Sequence, residues 1–409
     1  MQFAQRLQPL GSNVFADMDK AKTKALAAGK HLIDLSLGSS DLSPAKHVIE
    51  AISQSLEDKS THGYLLFNGT KDFRQAAAQW YENKFGIPVD PETEVLSLIG
   101  SQEGTAHLPL AILNPGDYAL VQDPGYPSHA GGVYLANGEI YPMPLLAENN
   151  FLPIFEDIPP DILAKSRMMV LSYPHNPTAA IAPLSFLQTA VKFSQENNLV
   201  LVHDLPYVDL VFPDPGNISD RNSDRNSAHN ITNTSQSLAP SILQADPEKS
   251  VSIEFFTLSK SYHMGGFRIG YAIGNPRLIQ ALAQVKAVID FNQYQGILNG
   301  AIAALNGSQD YVKNAVHTFR DRRDVFVKAL ADIGWEVPIP EATMYIWAKL
   351  PPAWNQNSIE FCKKLVETTG VAASPGVGFG KSGEGYVRFA LVHDSSILQD
   401  AVRKISQFF

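Results

Sequence analysis

A single cysteine, Cys362, is the only thiol in this 409-residue chain. One thiol cannot close an internal disulfide or supply a multi-cysteine metal site. Positive charge is also scarce. Against 41 Asp and Glu stand 32 Lys and Arg, a formal net charge of −9, which disfavours nucleic acid and anionic membranes as principal partners. No uninterrupted apolar stretch approaches the length of a membrane span. Met1–Leu10 lacks the basic-then-apolar order of a secretory leader, and no repeat of solenoid period is present. These absences lead us to expect a cytoplasmic globular protein, bound to neither nucleic acid nor membrane, that works on small molecules.

What is present is a strand–helix rhythm. Apolar runs at Glu94–Ile99, Tyr118–Gln122, Met168–Ser172, Leu199–His203 and Ile253–Leu258 predict buried strands. Helical patterns at Thr70–Phe85, Gln102–Leu113, Leu184–Glu196 and Pro276–Val288 flank or separate them. Continuous apolar strands alternating with helices predict an α/β fold with a mostly parallel sheet covered on both faces. Before the sheet, Asn13–Gly29 reads as a helix, Leu32–Leu37 as a short strand, and Ser43-Pro44 as the opening of another helix. A long helix, Gln309–Ile333, leads to a strand–helix–strand–helix unit over 342–409. The expected organisation is an N-terminal segment (1–45) packing with a small C-terminal α+β domain (301–409), and a large domain (46–300) between them. Residues 214–240 have almost no apolar periodicity through Gln236 and predict an exposed insertion. Its Asn-x-Ser/Thr triplets, at Asn217, Asn230 and Asn233, are chance matches without a secretory signal.

In such sheets ligands sit beyond the carboxyl ends of the strands, and the polar signatures fall there. The most telling is Thr257-Leu-Ser-Lys-Ser-Tyr-His-Met-Gly-Gly-Phe-Arg268. Lys260 leaves a buried strand between two serines. Desolvation eases loss of its proton, after which it can condense with an aldehyde. Arg268 and the hydroxyls suit a phosphate. Alone, Lys260 reads first as a solvated loop charge, since buried lysine is rare. The other signals are ambiguous one by one. Gly100-Ser-Gln-Glu-Gly104 is either a phosphate-binding helix start or a plain N-cap. Tyr126, in Asp123-Pro-Gly-Tyr-Pro127, is either a plate for an aromatic ring or a packed tyrosine. Asn176 precedes Pro177 in a turn-rich loop. Asp204 ends a strand three residues before Tyr207; buried there, it needs a cation such as a pyridinium N–H, an arginine or a lysine. Arg388 lies inside a strand and faces either solvent or a site.

In combination and in order, these motifs resemble the class I/II aminotransferases, fold-type I enzymes dependent on pyridoxal phosphate. The resemblance runs from Leu35–Asp41 to Arg388, apart from the insertion, and its style is nearest to diaminopimelate- and aspartate-type members. It implies that Lys260 carries the cofactor covalently and moves the proton, and that Asp204 pairs with the pyridine nitrogen. It also implies that Asn176 and Tyr207 hydrogen-bond the phenolic oxygen while Tyr126 stacks on the ring. Ser101, Gln102, Thr257 and Arg268 would surround the phosphate, and Arg388 would grip the substrate α-carboxylate near Gly38 and Asn176. Tyr64 would reach a neighbouring subunit's phosphate, implying a homodimer with shared sites. Thr257 in place of a serine, Ala179 in place of a glycine and Leu205 in place of an acid depart from the family pattern. The expected reaction is ping-pong transamination between an L-amino acid and a 2-oxo acid. A β-eliminating lyase or related synthase on the same scaffold is the alternative, and a non-catalytic cofactor-binding sensor the more distant one. His62, Tyr64, His263 and Tyr294 stand as candidates for contact with the distal end of the substrate.

Overall fold

The computed structural model describes residues 1, 3–10, 14–212, 238–354 and 356–408. Most of the expected insertion, with its three Asn-x-Ser/Thr triplets, lies outside them. The first strand, β1 (Ile33–Asp34), belongs to a peripheral two-stranded pair. The main sheet is built by β2 (Val95–Leu98), β3 (Tyr118–Asp123), β4 (Glu139–Pro144), β5 (Ser166–Ser172), β6 (Val200–Asp204), β7 (Ser252–Thr257) and β8 (Gly270–Gly274), in the order β2-β8-β7-β6-β5-β3-β4. Only β8 runs against the others; β2 through β7 share one direction. The carboxyl ends of six strands and the amino end of β8 therefore meet at one edge. The mostly parallel, doubly covered sheet expected from the apolar runs is present, with one apolar cluster around Leu120, Met169 and Leu201 and another around Leu98, Val170 and Phe255. Alternate residues of β5 fall in opposite clusters, as strand geometry dictates.

Two of these strands escape the sequence reading. Strand β4 carries Pro142 and Pro144, which cannot donate to a ladder. It survives because it occupies the sheet edge, where one row of donors needs no partner. Strand β8 begins and ends in glycine, a residue depleted in strands, so only Tyr271–Ile273 at its centre reads as strand. The helices Pro127–Leu135 and Gln295–Asn306 are likewise unforeseen. The second is weak in propensity because of Gly296 and Gly300, yet a Cβ on Gly300 would lie 2.5 Å from Ile52 Cγ1. Close packing on the helix Lys46–Glu57, which the glycine permits, overrides propensity. That latter helix starts at Lys46, capped by the backbone of Ala45; Pro44 precedes it instead of occupying its first turn. The helix Lys71–Phe85 matches expectation, with the Thr70 hydroxyl accepting from Phe73 N–H and Gly86 closing it at φ 71°.

The C-terminal unit contains β9 (Tyr345–Lys349), β10 (Val371–Ala372), β11 (Ser374–Pro375) and β12 (Tyr386–Ala390). Strands β11, β12 and β9 form an antiparallel sheet, and β10 pairs in parallel with β1. One apolar cluster joins Met18, Ala21, Ala25, Ile33 and Leu35 to Phe361, Leu365, Phe389 and Leu398, so the segment preceding the large sheet packs with the chain's last hundred residues. A smaller cluster of Tyr207, Phe212, Phe319, Met344 and Tyr345 lies between this unit and the main sheet. The helix Asp310–Asp332 contributes Val312 to one core and Phe326 to the other.

Candidate active site

A cleft of about 850 Å³ opens at the sheet edge where the strand ends converge. Of the twelve residues to which the resemblance gives a role, it is lined by eleven: Gly38, Ser101, Gln102, Tyr126, Asn176, Asp204, Tyr207, Thr257, Lys260, Arg268 and Arg388. The twelfth, Tyr64, is 91% exposed and packs edge-on against Phe291, with ring centroids 5.8 Å apart. His62 and Tyr294 do not line the cleft. Tyr294 donates to the Ser55 carbonyl at 2.6 Å and His62 Nε2 lies 3.1 Å from the Leu56 carbonyl, so both fasten the end of one helix.

Lys260 follows β7 by three residues. Its amine donates to the Gly38 carbonyl at 2.6 Å and lies 5.7 Å from the Tyr207 ring centroid. Asp204, the last residue of β6, is buried; Oδ2 meets His129 Nε2 at 3.0 Å, while Oδ1 has no hydrogen-bond partner. A buried carboxylate oxygen without a donor is costly, and this one lies in a cleft wall. His129 was invisible in the sequence, because only the short helix opened by Pro127 turns it under Tyr126, ring centroids 5.8 Å apart.

The phosphate-sized end is built on β2 and β8. The helix Ser101–Ile112 begins at Gly100, whose φ of 76° suits glycine. A Cβ there would also collide with the Arg268 guanidinium. Free N–H groups at that helix start and the Arg268 guanidinium suit an anion. Beneath it, Glu103 accepts from Ile99 N–H and pairs with the fully buried Lys286 at 2.5 Å, which anchors the first helical turn. The Thr257 hydroxyl stays within its own loop, 2.8 Å from Ser259 Oγ and 3.2 Å from Ser259 N. Ala179 sits at φ 62°, in the left-handed region that favours glycine, which costs alanine about 1 kcal/mol.

At the opposite end Arg388, on β12, is buried with its side chain turned to the cleft. Nη1 donates to Asn176 Oδ1 at 2.8 Å and Nη2 to the Ser36 carbonyl at 2.7 Å, while Nε is unpartnered. Its guanidinium carbon lies 4.2 Å from the Tyr345 ring centroid and 4.6 Å from that of Phe379. Tyr345, also missed in the sequence, hydrogen-bonds Tyr207 hydroxyl to hydroxyl at 2.9 Å.

His263 lines the cleft too. Its Nδ1 lies 2.7 Å from Ser40 Oγ, tying the Lys260 loop to the segment that carries Gly38. Burial lowers His263 to about 4, and burial followed by the His129 charge lowers His175 to about 3. Unfolded, both would titrate near 6.5. The unfolded chain thus binds more protons between these values, and stability falls as pH drops from 6.5 toward 4. The His263→Asn variant, whose amide does not titrate, is expected to lose less stability than its parent over that range. Guanidinium midpoints measured at pH 7, 5.5 and 4.5 check this, and parallel losses would refute it.

The model of the family "Aminotransferase class I and II" matches residues 30–405. The chain is 40% identical over 408 residues to an LL-diaminopimelate aminotransferase of Dehalococcoides mccartyi, covering 100% of this chain and 99% of that protein. It is 37% identical to LL-diaminopimelate aminotransferase 2 of Trichormus variabilis, covering 99% and 98%. Among solved structures, substrate-bound BacF from Bacillus subtilis superposes with a TM-score of 0.90 at 31% identity, over 100% of this chain and 98% of BacF. Aspartate aminotransferase of Thermotoga maritima, at 22% identity and a TM-score of 0.85 over 99% of each chain, shares the fold. From the convergent strand ends, the family match and these full-length relatives together, the chain belongs to the class I and II aminotransferases.

Proposed function

We propose that the chain transfers the amino group of a diaminopimelate-type L-amino acid to a 2-oxo acid, with pyridoxal phosphate as resident cofactor. The observation that carries the cofactor assignment is the unpartnered Asp204 Oδ1, a buried acceptor in the cleft wall that a protonated pyridine nitrogen would satisfy. Lys260 would hold the cofactor covalently, Arg268, Ser101, Gln102 and Thr257 its phosphate, and Asn176 and Tyr207 its phenolic oxygen, with Tyr126 against the ring. When bound, that ring supplies an electron sink for the substrate Cα. Arg388 takes the α-carboxylate as a two-pronged donor and so aims the Cα hydrogen toward Lys260. The Lys260 amine, once free, would be the base that takes the Cα proton and holds it for return to the bound system. Buried Tyr207, whose phenol burial and then the Tyr345 charge push well above its usual value, stays a proton donor throughout.

The substrate class rests on the relatives and on the cleft mouth. Asp19 and Lys22 line the cleft and pair at 2.7 Å, with Lys22 also meeting Asp34 at 3.2 Å, so both signs of charge stand at the mouth. The distal end of diaminopimelate is itself an ammonium and a carboxylate, complementary to such a pair. The same reading makes the protein a cytoplasmic homodimer. Tyr64, Leu37, Leu66, Val288, Ile289 and Phe291 are exposed, a set of large apolar side chains that a second copy would cover. Among the described residues no helix is long and apolar enough to cross a membrane.

A panel of amino donors with 2-oxoglutarate tests the assignment. Glutamate is expected to form fastest with LL-diaminopimelate, and more slowly with aspartate or alanine. Release of pyruvate and ammonia from a donor, without glutamate, would instead establish a β-eliminating lyase.

A further inference from the structure

Tyr345, at the start of β9, is 2% exposed and stands at the meeting point of the cleft's working groups. Its hydroxyl is 2.9 Å from that of Tyr207, the two rings edge-on at 78°. The Arg388 guanidinium lies over its ring, 4.2 Å from the centroid. A Cβ on Gly38 would overlap its hydroxyl, so the backbone that holds Lys260 is pressed against it. One side chain thus touches the partner of the cofactor's phenolic oxygen, the carboxylate clamp and the support of the lysine.

We propose that Tyr345 is a positioning residue with two separable parts: a hydroxyl that donates to Tyr207, freeing the Tyr207 hydrogen for the cleft, and a ring face that sets the plane of Arg388. The proposal rests on the transamination reading. Lys260, Arg388, Tyr207 and Tyr126 are the titratable and charged groups acting on the two phenols. Burial alone would raise Tyr345, but the Lys260 charge, present while that amine is free, and Arg388 together outweigh it and hold the phenol below its usual value. Tyr207 is shifted the opposite way. The more acidic phenol is the better donor, and a hydroxyl that already accepts a hydrogen bond donates its own more strongly. The ring contribution is a cation–π contact between buried groups, which fixes an orientation as well as adding attraction.

The two parts come apart in two variants of the holoenzyme. Tyr345→Phe keeps the ring and removes the hydroxyl. It is expected to leave KM for the amino donor within about twofold and to lower kcat about fivefold, the worth of one hydrogen bond. The pH midpoint of the visible absorbance of the lysine-bound cofactor should also rise, as expected when a donor beside a negative oxygen weakens. Tyr345→Leu removes both parts and is expected to add about a tenfold rise in KM. The melting temperature of the protein without cofactor is the control. A Tyr345→Phe variant equal to the parent in kcat and midpoint overturns the proposal. So does a Leu variant with parental KM, or parallel losses in every parameter that track a lowered melting temperature. If the parent itself does not transaminate, the functional reading and this proposal both fall; if it does, those outcomes sink only the proposal.

Discussion

The Lys260→Ala variant is expected to lose roughly four orders of magnitude in turnover, the upper range for removal of a positioned acid–base group. The visible absorbance of a lysine-bound cofactor should vanish with it. The size of the loss follows from what else is near. The phenols of Tyr207 and Tyr345 share a hydrogen bond, and burial pushes Tyr207 well above its usual value, so it is a poor base at neutral pH. Arg268 and Arg388 cannot give up a proton at all. Asp204 is committed on one oxygen to His129, and its other oxygen, unpartnered, is the one proposed to meet the cofactor ring. None of these groups therefore substitutes for the amine that donates to the Gly38 carbonyl at 2.6 Å. A variant with parental turnover would remove Lys260 from the mechanism and with it the covalent cofactor assignment.

Arg388→Leu is the second large effect, expected to cost about 10²- to 10³-fold in kcat/KM, the range for stripping one partner from a buried charged pair. Two terms add. The substrate carboxylate loses its counter-ion, and Asn176 Oδ1 and the Ser36 carbonyl lose their donor. Arg388→Lys restores the charge but not the planar fork, and should recover less than tenfold of the loss. The discriminating measurement uses a primary amine without an α-carboxylate. For such a donor Arg388→Leu should cost far less than for an amino acid, since only the lost support of Asn176 and Ser36 remains. An equal loss with both donors would assign Arg388 to folding instead of recognition.

Much of the site is readable in the linear order because each part sits at a strand end with a turn-forming neighbour. Asp204, Asn176 and Lys260 announce themselves through Pro, Gly and hydroxyl residues that only a loop would tolerate. What stays hidden has a common physical cause. Tyr345 and His129 act through side-chain direction, one from a strand of a different unit and one from a nine-residue helix with no periodic pattern. The buried pair Glu103–Lys286 is separated by most of the large sheet in sequence and looks like two ordinary surface charges until packing joins them. Strand β4 is concealed by its prolines, and the helix Gln295–Asn306 by glycines that serve contact at the expense of propensity. Conversely, His62 and Tyr294, attractive as substrate contacts by residue type, are consumed by backbone carbonyls.

The cleft draws its wall from Gly38 near one end of the chain, from the ends of β2, β3, β5, β6 and β7, and from Arg388 near the other end. Nearly every pair of these groups is brought together by a long loop closure, and parallel pairing is slow to nucleate. Local units that form early therefore hold, as a rule, no more than one of these groups. The hairpin of β7 and β8 is the exception, since it carries Lys260 and Arg268 within one local turn. That turn can form on its own clock, but Asp204 and Arg388 reach it only when the whole sheet and the second unit have closed. Any small molecule that prefers the complete cleft is thus a late arrival: it selects finished molecules and slows their opening, but it cannot act as a template for their assembly.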